Sequence, residues 1–253
     1  MTLIETVFGK LQGKTAVITG GKRVGQVVAH ALAEQGVNII ATYRSSAAEA
    51  ESIVSDAKKL GVQAMMVQVD VSKEVDVARA VSEIVPVFPE IHFLINMASV
   101  FKPNALEKVT EAEWTENFGV HVLGFFWIVK QLLPYLAKGA HIVNISDRTV
   151  VGRKYKGYIP YQVTKAAAGN LTEVLAVELA ERGIHTHSIA PGPILRPPHI
   201  SEVEWQQVRD ESPLKDPLDD NEAVTQFAMS VLRACTNTMT SGDTLLIDQG
   251  QNL

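Results

Sequence analysis

The sequence predicts an α/β fold: a doubly wound parallel sheet with helices on both faces. Three observations carry that reading. Apolar runs of strand length alternate with amphipathic stretches of helical period along the whole chain. The runs are rich in Val and Ile and mostly continuous, as strands covered on both faces are. A glycine-rich turn separates the first run from the first helical stretch, the position at which Rossmann-type sheets hold phosphate groups against a helix N-terminus.

Each element follows from its local pattern. Strands are expected at Thr15–Thr19, Val37–Thr42, Gln63–Val69, Phe93–Asn96, His141–Ile145, His185–Ala190 and Thr244–Ile247. Helical periodicity fills the intervals at about 24–35, 46–60, 73–85, 111–137, 160–182 and 220–235, so the crossovers are right-handed. At 253 residues, with no internal repeat or linker, residues 1–253 read as one domain. The stretch 193–219 breaks the alternation. It is proline-rich, carries a short helical pattern around Glu202–Arg209, and is expected to form a lid over the ligand crevice; an irregular surface loop is the alternative.

Composition narrows the function. The chain is 46% apolar and 20% charged, with a formal charge of −5 and no Lys/Arg run, which argues against a nucleic-acid surface. A lone cysteine, Cys235, fits a reducing compartment. Met1–Gly13 lacks the layout of a secretory signal, and no uninterrupted apolar run reaches the ~20 residues of a membrane span. A cytoplasmic protein acting on a small molecule, with neither membrane nor metal site, is expected.

The first turn, Thr19-Gly20-Gly21-Lys22-Arg23-Val24-Gly25, departs from G-x-G-x-x-G, yet its place suits a pyrophosphate, with Gly20, Lys22, Arg23 and Val24 in contact. The second strand ends in Tyr43-Arg44-Ser45-Ser46, with no acid to hold a ribose 2′-hydroxyl. A guanidinium there grips a 2′-phosphate through charge-assisted bonds, so Arg44 and Ser45 point to NADP(H). Asp70 and Val71 follow the third strand; Asp70 either accepts from an adenine amino group or caps the next helix. Asn96 and Ala98 end the fourth strand, where small residues allow close backbone approach.

Tyr161 and Lys165 form a Y-x-x-x-K pair on one helix face. An ammonium near a phenol favours the phenolate and is expected to lower the Tyr161 pKa from ~10.

These residues resemble the short-chain dehydrogenase/reductase family over nearly the whole chain. Its N-N-A-G element looks like Asn96-Met97-Ala98-Ser99, its P-G turn is Pro191-Gly192, and its closing motif resembles Ser241–Gly250. The resemblance implies that Tyr161 donates a proton while nicotinamide delivers hydride, and that Lys165 also binds the nicotinamide ribose. It implies a homotetramer through the helices at about 111–137 and 160–182, with a dimer next. Two positions depart from the family: Asp147 stands for its catalytic serine, and His121 for its helical asparagine.

The aspartate is similar to that of pteridine and dihydromonapterin reductases. So are Lys22-Arg23-Val24-Gly25, Tyr43–Ala50 and Asn96–Pro103, where Phe101 would stack on a pterin and Arg23 reach both pterin and cofactor. That likeness implies reduction of a dihydropterin C=N bond, with Asp147, Tyr161 and Lys165 catalytic and Arg23, Phe101 and Tyr161 on the substrate. Blander roles stand beside these: Asp147 as a solvated carboxylate by Arg148, Phe101 as packing under the lid, His121 as a core histidine. Trp114, Phe118, Phe125, Phe126 and Trp127 read as core and interface. Reduction of a ketone or 3-oxoacyl thioester is the alternative activity, and a catalytically silent NADP(H)-binding sensor the alternative class.

Overall fold

A computed structural model describes residues 11–20, 22–214 and 218–253. Residues 1–10 of the Met1–Gly13 stretch, Gly21 of the first turn and Pro217 of the proline-rich segment lie outside the described residues. Seven parallel strands run in the order β3-β2-β1-β4-β5-β6-β7. They are β1 (Thr15–Thr19), β2 (Asn38–Tyr43), β3 (Ala64–Gln68), β4 (Ile91–Asn96), β5 (Leu136–Ile145), β6 (His185–Pro191) and β7 (Asp243–Ile247). The helices are α1 (Val24–Glu34), α2 (Ala47–Lys59), α3 (Glu74–Ile84), α4 (Glu111–Phe118), α5 (Gly124–Leu132), α6 (Ile159–Leu179), α7 (Glu202–Asp210) and α8 (Asp220–Ala234).

The continuous apolar runs are explained by two separate cores. Ala16 and Ile18 of β1 and Phe93 and Ile95 of β4 face one core with α1, α2 and α8. Val17, Ile91 and Leu94 face the other with α3, α5 and α6. Strand order reverses between β1 and β4, and that switch opens a crevice at the C-terminal strand ends.

The expected helix at 111–137 runs from Glu111 to Tyr135, with changes of helical type along it. A capping box at Thr110 and Glu113 starts α4, a π turn occupies Gly119–Leu123, and α5 follows. Pro134 falls in the closing 3₁₀ turn, and β5 starts at Leu136, five residues before His141. The segment Glu111–Tyr135 is long and apolar enough to cross a membrane by length and composition. Phe125, Ile128, Val129 and Leu132 are nevertheless buried against the sheet, so its most apolar stripe is core.

Candidate active site

The crevice has two adjoining lobes that share Gly20, Lys22, Arg23, Met97 and Ser99. The first, about 530 Å³, lies over the ends of β1 to β4 and is lined by Arg44, Ser45, Asp70, Val71 and Ala98. The turn after β1 presses against the chain after β4: a Cβ on Gly20 would stand 2.7 Å from the Ala98 Cα, and Gly20 has φ 72°. Arg23 sits at φ 61°, where a side chain is strained, and its Nη2 donates to the Arg196 carbonyl at 2.6 Å. That contact ties the turn to the proline-rich segment. Lys22 pairs with Glu49 at 3.0 Å, and the ammonium holds the Glu49 carboxyl below its usual range. Among the described residues Arg44 has no ion-pair partner within 4.0 Å.

Two expectations shift here. Asp70 does not cap α3, whose N-cap is Lys73; its Oδ1 accepts from the Ser72 N–H and hydroxyl at 3.1 and 2.7 Å, closing a turn. Asn96 lines neither lobe. Its amide is buried between Thr19, whose hydroxyl donates to it at 3.0 Å, and Asn144, to which it donates at 2.9 Å. This chain locks β1, β4 and β5 together behind the crevice, and Asn144 extends it to α6 through Ala168 and Thr172.

The second lobe, about 570 Å³, is lined by Val24, Phe101, Asp147, Tyr161, Lys165, Pro191 and Gly192, together with the proline-rich segment. Asp147 follows β5 and caps a short 3₁₀ turn, Arg148–Val150. Its Oδ1 accepts from the Thr149 N–H and hydroxyl at 2.9 and 2.7 Å. Its Oδ2 accepts from the Tyr161 hydroxyl at 2.9 Å and the Tyr155 hydroxyl at 3.3 Å. Four donors therefore surround the carboxylate, which is far from a solvated loop acid.

Lys165 donates to the Ile145 carbonyl at 2.6 Å, and its Nζ lies 5.9 Å from the Tyr161 ring centre. The expected lowering of the Tyr161 pKa is overturned. Burial, and then the Asp147 carboxylate, hold the phenol well above its ordinary value, because the ammonium is turned toward the strand end. Burial pushes Lys165 down to about 8. The arrangement is a phenol kept protonated, aimed at a carboxylate, with an ammonium close to losing its charge.

His121, in the π turn, is 1% exposed and lines neither lobe. Its Nε2 accepts from the Val100 N–H at 3.1 Å and faces the Ser99 hydroxyl at 3.0 Å, so the proton sits on Nδ1, which donates to Thr164 at 2.8 Å. Burial lowers its pKa to about 2, so it is a neutral tie between the loop after β4 and α6. Phe101 both lines the lobe and packs: it stacks on Tyr158 at 4.3 Å and meets His199 of the proline-rich segment at 5.6 Å. Tyr158 and His199 are hydrogen-bonded at 2.8 Å.

A family profile described as Enoyl-(Acyl carrier protein) reductase matches residues 21–252. An uncharacterized oxidoreductase of Bacillus subtilis is 34% identical over 74% of this chain, which covers 66% of that protein, just under two thirds. A 3-oxoacyl-(acyl-carrier-protein) reductase of Staphylococcus epidermidis is 33% identical over 71% of this chain and 74% of that protein. The chain belongs to the short-chain dehydrogenase/reductase family. The solved structure of a Burkholderia cenocepacia short-chain dehydrogenase in complex with NADP superposes with TM-score 0.87 at 27% identity, covering 96% of this chain and 99% of that one.

This short-chain dehydrogenase/reductase also places residues in the crevice that the sequence reading passed over. Tyr155, Tyr158 and Tyr161 form a cluster, with Tyr155 and Tyr158 ring centres 5.3 Å apart. Their three-residue spacing in Tyr155-Lys156-Gly157-Tyr158-Ile159-Pro160-Tyr161 was the available signal. Gln162 pins Tyr155 from both sides, accepting from its N–H at 3.2 Å and donating to its carbonyl at 2.6 Å.

Proposed function

We propose that this reductase is NADP(H)-dependent and reduces a C=N bond of a dihydropterin-like substrate. The observation that carries it is the Tyr161 hydroxyl donating to Asp147 at 2.9 Å. In a carbonyl reductase the residue beside the tyrosine binds an oxygen that gains negative charge, and a carboxylate opposes that charge. An acceptor-only carboxylate instead suits a heterocycle with N–H donors, and it keeps the neighbouring phenol protonated for transfer to nitrogen.

The first lobe fits the cofactor. Gly20, Lys22, Arg23 and Val24 would hold the pyrophosphate, and Arg44 with Ser45 the 2′-phosphate. Asp70, Val71 and Ala98 would flank the adenosine half, and Lys165, Pro191 and Gly192 the nicotinamide half. NADPH supplies the hydride when bound. The protein's part is to hold Tyr161 protonated, fix Asp147 through Thr149 and Tyr155, and exclude water with the segment 193–219 acting as a lid latched by Arg23 and by Tyr158–His199. Phe101 would bear on the flat face of the substrate, and Arg23 would reach its edge.

A second reading, reduction of a 3-oxoacyl or ketone substrate, is favoured by the likeness to 3-oxoacyl-(acyl-carrier-protein) reductases. Exposed Phe118, Leu123, Phe126, Val163, Val174 and Val177 support a homo-oligomer, a tetramer before a dimer. A cytoplasmic setting, one domain over 1–253 and a free buried Cys235 complete the proposal.

The test is NADPH consumption with dihydromonapterin, dihydrobiopterin and dihydrofolate beside simple ketones and a 3-oxoacyl thioester. Turnover of a dihydropterin is expected. Turnover of the ketone or thioester alone would replace this reading with the second, and NADPH binding without oxidation across the panel would indicate a sensor.

A further inference from the structure

We propose that the substrate lobe contains a subsite for an acidic group, a carboxylate or phosphate, received by Arg148. The inference rests on the reading that this lobe takes a dihydropterin-like substrate, and it adds a second recognition element to that substrate.

Arg148 is 9% exposed and lines the lobe immediately after Asp147. Its guanidinium lies over the Tyr155 ring, 5.5 Å from the ring centre. Among the described residues its guanidinium donates to no protein acceptor and has no carboxylate within 4.0 Å; the backbone carbonyl alone is engaged, accepting from the Asn252 side-chain amide and the Val151 N–H. Arg148 carries five fixed N–H donors, and none of its nitrogens is both sealed from solvent and unpartnered, so the fork is accessible from the lobe it lines.

The neighbouring acid does not serve. Asp147 accepts from Thr149, Tyr155 and Tyr161 instead, and among the described residues it makes no ion pair with the guanidinium within 4.0 Å. Lys156 stands on the same wall, and among the described residues the acids lining this lobe are Asp147 and Glu211. The planar fork is therefore left for an acceptor that comes from outside the chain. A guanidinium braced on an aromatic face recognises carboxylate or phosphate in two-point fashion.

The test uses dihydropterins whose side chain ends in a hydroxyl, a carboxylate or a phosphate, with the wild type, Arg148→Gln and Arg148→Lys. The wild type is expected to show a lower KM for one of the acidic members than for the hydroxyl member. Arg148→Gln should raise that KM about 10–100-fold, as loss of a charge-assisted bidentate pair does, while kcat stays within about twofold. The hydroxyl member should be unaffected, and Arg148→Lys should recover part of the loss. Retained NADP⁺ affinity shows that the variants are folded. Equal KM values across the three in the wild type, or an equal rise for all three in Arg148→Gln, would overturn the subsite while leaving the dihydropterin reading intact. If no dihydropterin is turned over, that reading fails and the subsite is judged by ligand-observed NMR on the NADP⁺-loaded enzyme. Benzoate or phenyl phosphate should then bind the wild type, benzamide should not, and Arg148→Gln should abolish the binding; failure of both anions to bind would overturn it.

Discussion

The first lobe is framed by the ends of four neighbouring strands, whereas the second is walled by loop aromatics, a 3₁₀ turn and residues between Pro193 and Glu211 of the proline-rich segment. In the first, backbone geometry does most of the work; Lys22 and Arg44 stand toward solvent, and Arg23, Glu49 and Asp70 are half-buried. In the second, Tyr161 and Lys165 are buried, and burial sets their proton affinities. On the proposed reading, 2′-phosphate recognition is thus separated from proton chemistry, and changes at residues that line only one lobe should leave the other's readout intact.

The largest expected effect lies in the second lobe. Tyr161→Phe should lower turnover about 10²–10⁴-fold, the usual contribution of general acid assistance, with the NADPH dissociation constant within about twofold. A parallel loss of NADPH binding would break the separation. In the first lobe, Arg44→Ala should weaken NADPH about 10–100-fold and leave NADH unchanged, measured by fluorescence titration. Equal weakening of both cofactors would remove Arg44 from the 2′-phosphate.

The buried histidines behind the lobes sharpen the contrast through stability. His121 and His141 have pKa values lowered to about 2 and about 3. The unfolded chain therefore binds more protons than the native one below pH ~6.5, so stability is full above that pH and falls as acid is added. Each histidine should contribute about 2 kcal/mol of loss between pH 7 and pH 5, seen in urea midpoints. His121→Asn should remove its own share of that slope; an unchanged slope would mean that the imidazole is charged in the native state.

Two smaller effects follow. Lys165 loses its proton as pH rises through about 8, so kcat/KM should fall above that pH, about tenfold per unit. A flat profile to pH 10 would mean that its charge is not required. Glu49→Gln frees Lys22 from its 3.0 Å partner and should tighten NADPH by a few-fold, without change for dihydropterin.

Much of the fold was legible because the strands are sealed on both faces. β1 was read residue for residue, and six of the seven strands both begin and end within two residues of their apolar runs. β5 was the exception, since Leu136–Ala140 carries Lys138 and Gly139 and does not read as a continuous run. The π turn at Gly119–Leu123 was hidden because its residues keep the apolar pattern of the helices around it. At the site, spacing marked Tyr161, Lys165 and Arg44. It was silent on side-chain direction: the Lys165 ammonium turns to Ile145, and the Asn96 amide turns inward to Thr19 and Asn144. Arg148 reaches the crevice from a short 3₁₀ turn, which no longer-range periodicity encodes.

The central claim is that Asp147 selects nitrogen over carbonyl chemistry by opposing the negative charge that a reduced carbonyl oxygen gains beside Tyr161. The direct test is the ratio of kcat/KM for a dihydropterin to that for a ketone, measured in the wild type and in Asp147→Ser. A high ratio that collapses in the serine variant, with ketone turnover rising, is the predicted result. An unchanged ratio would contradict the claim.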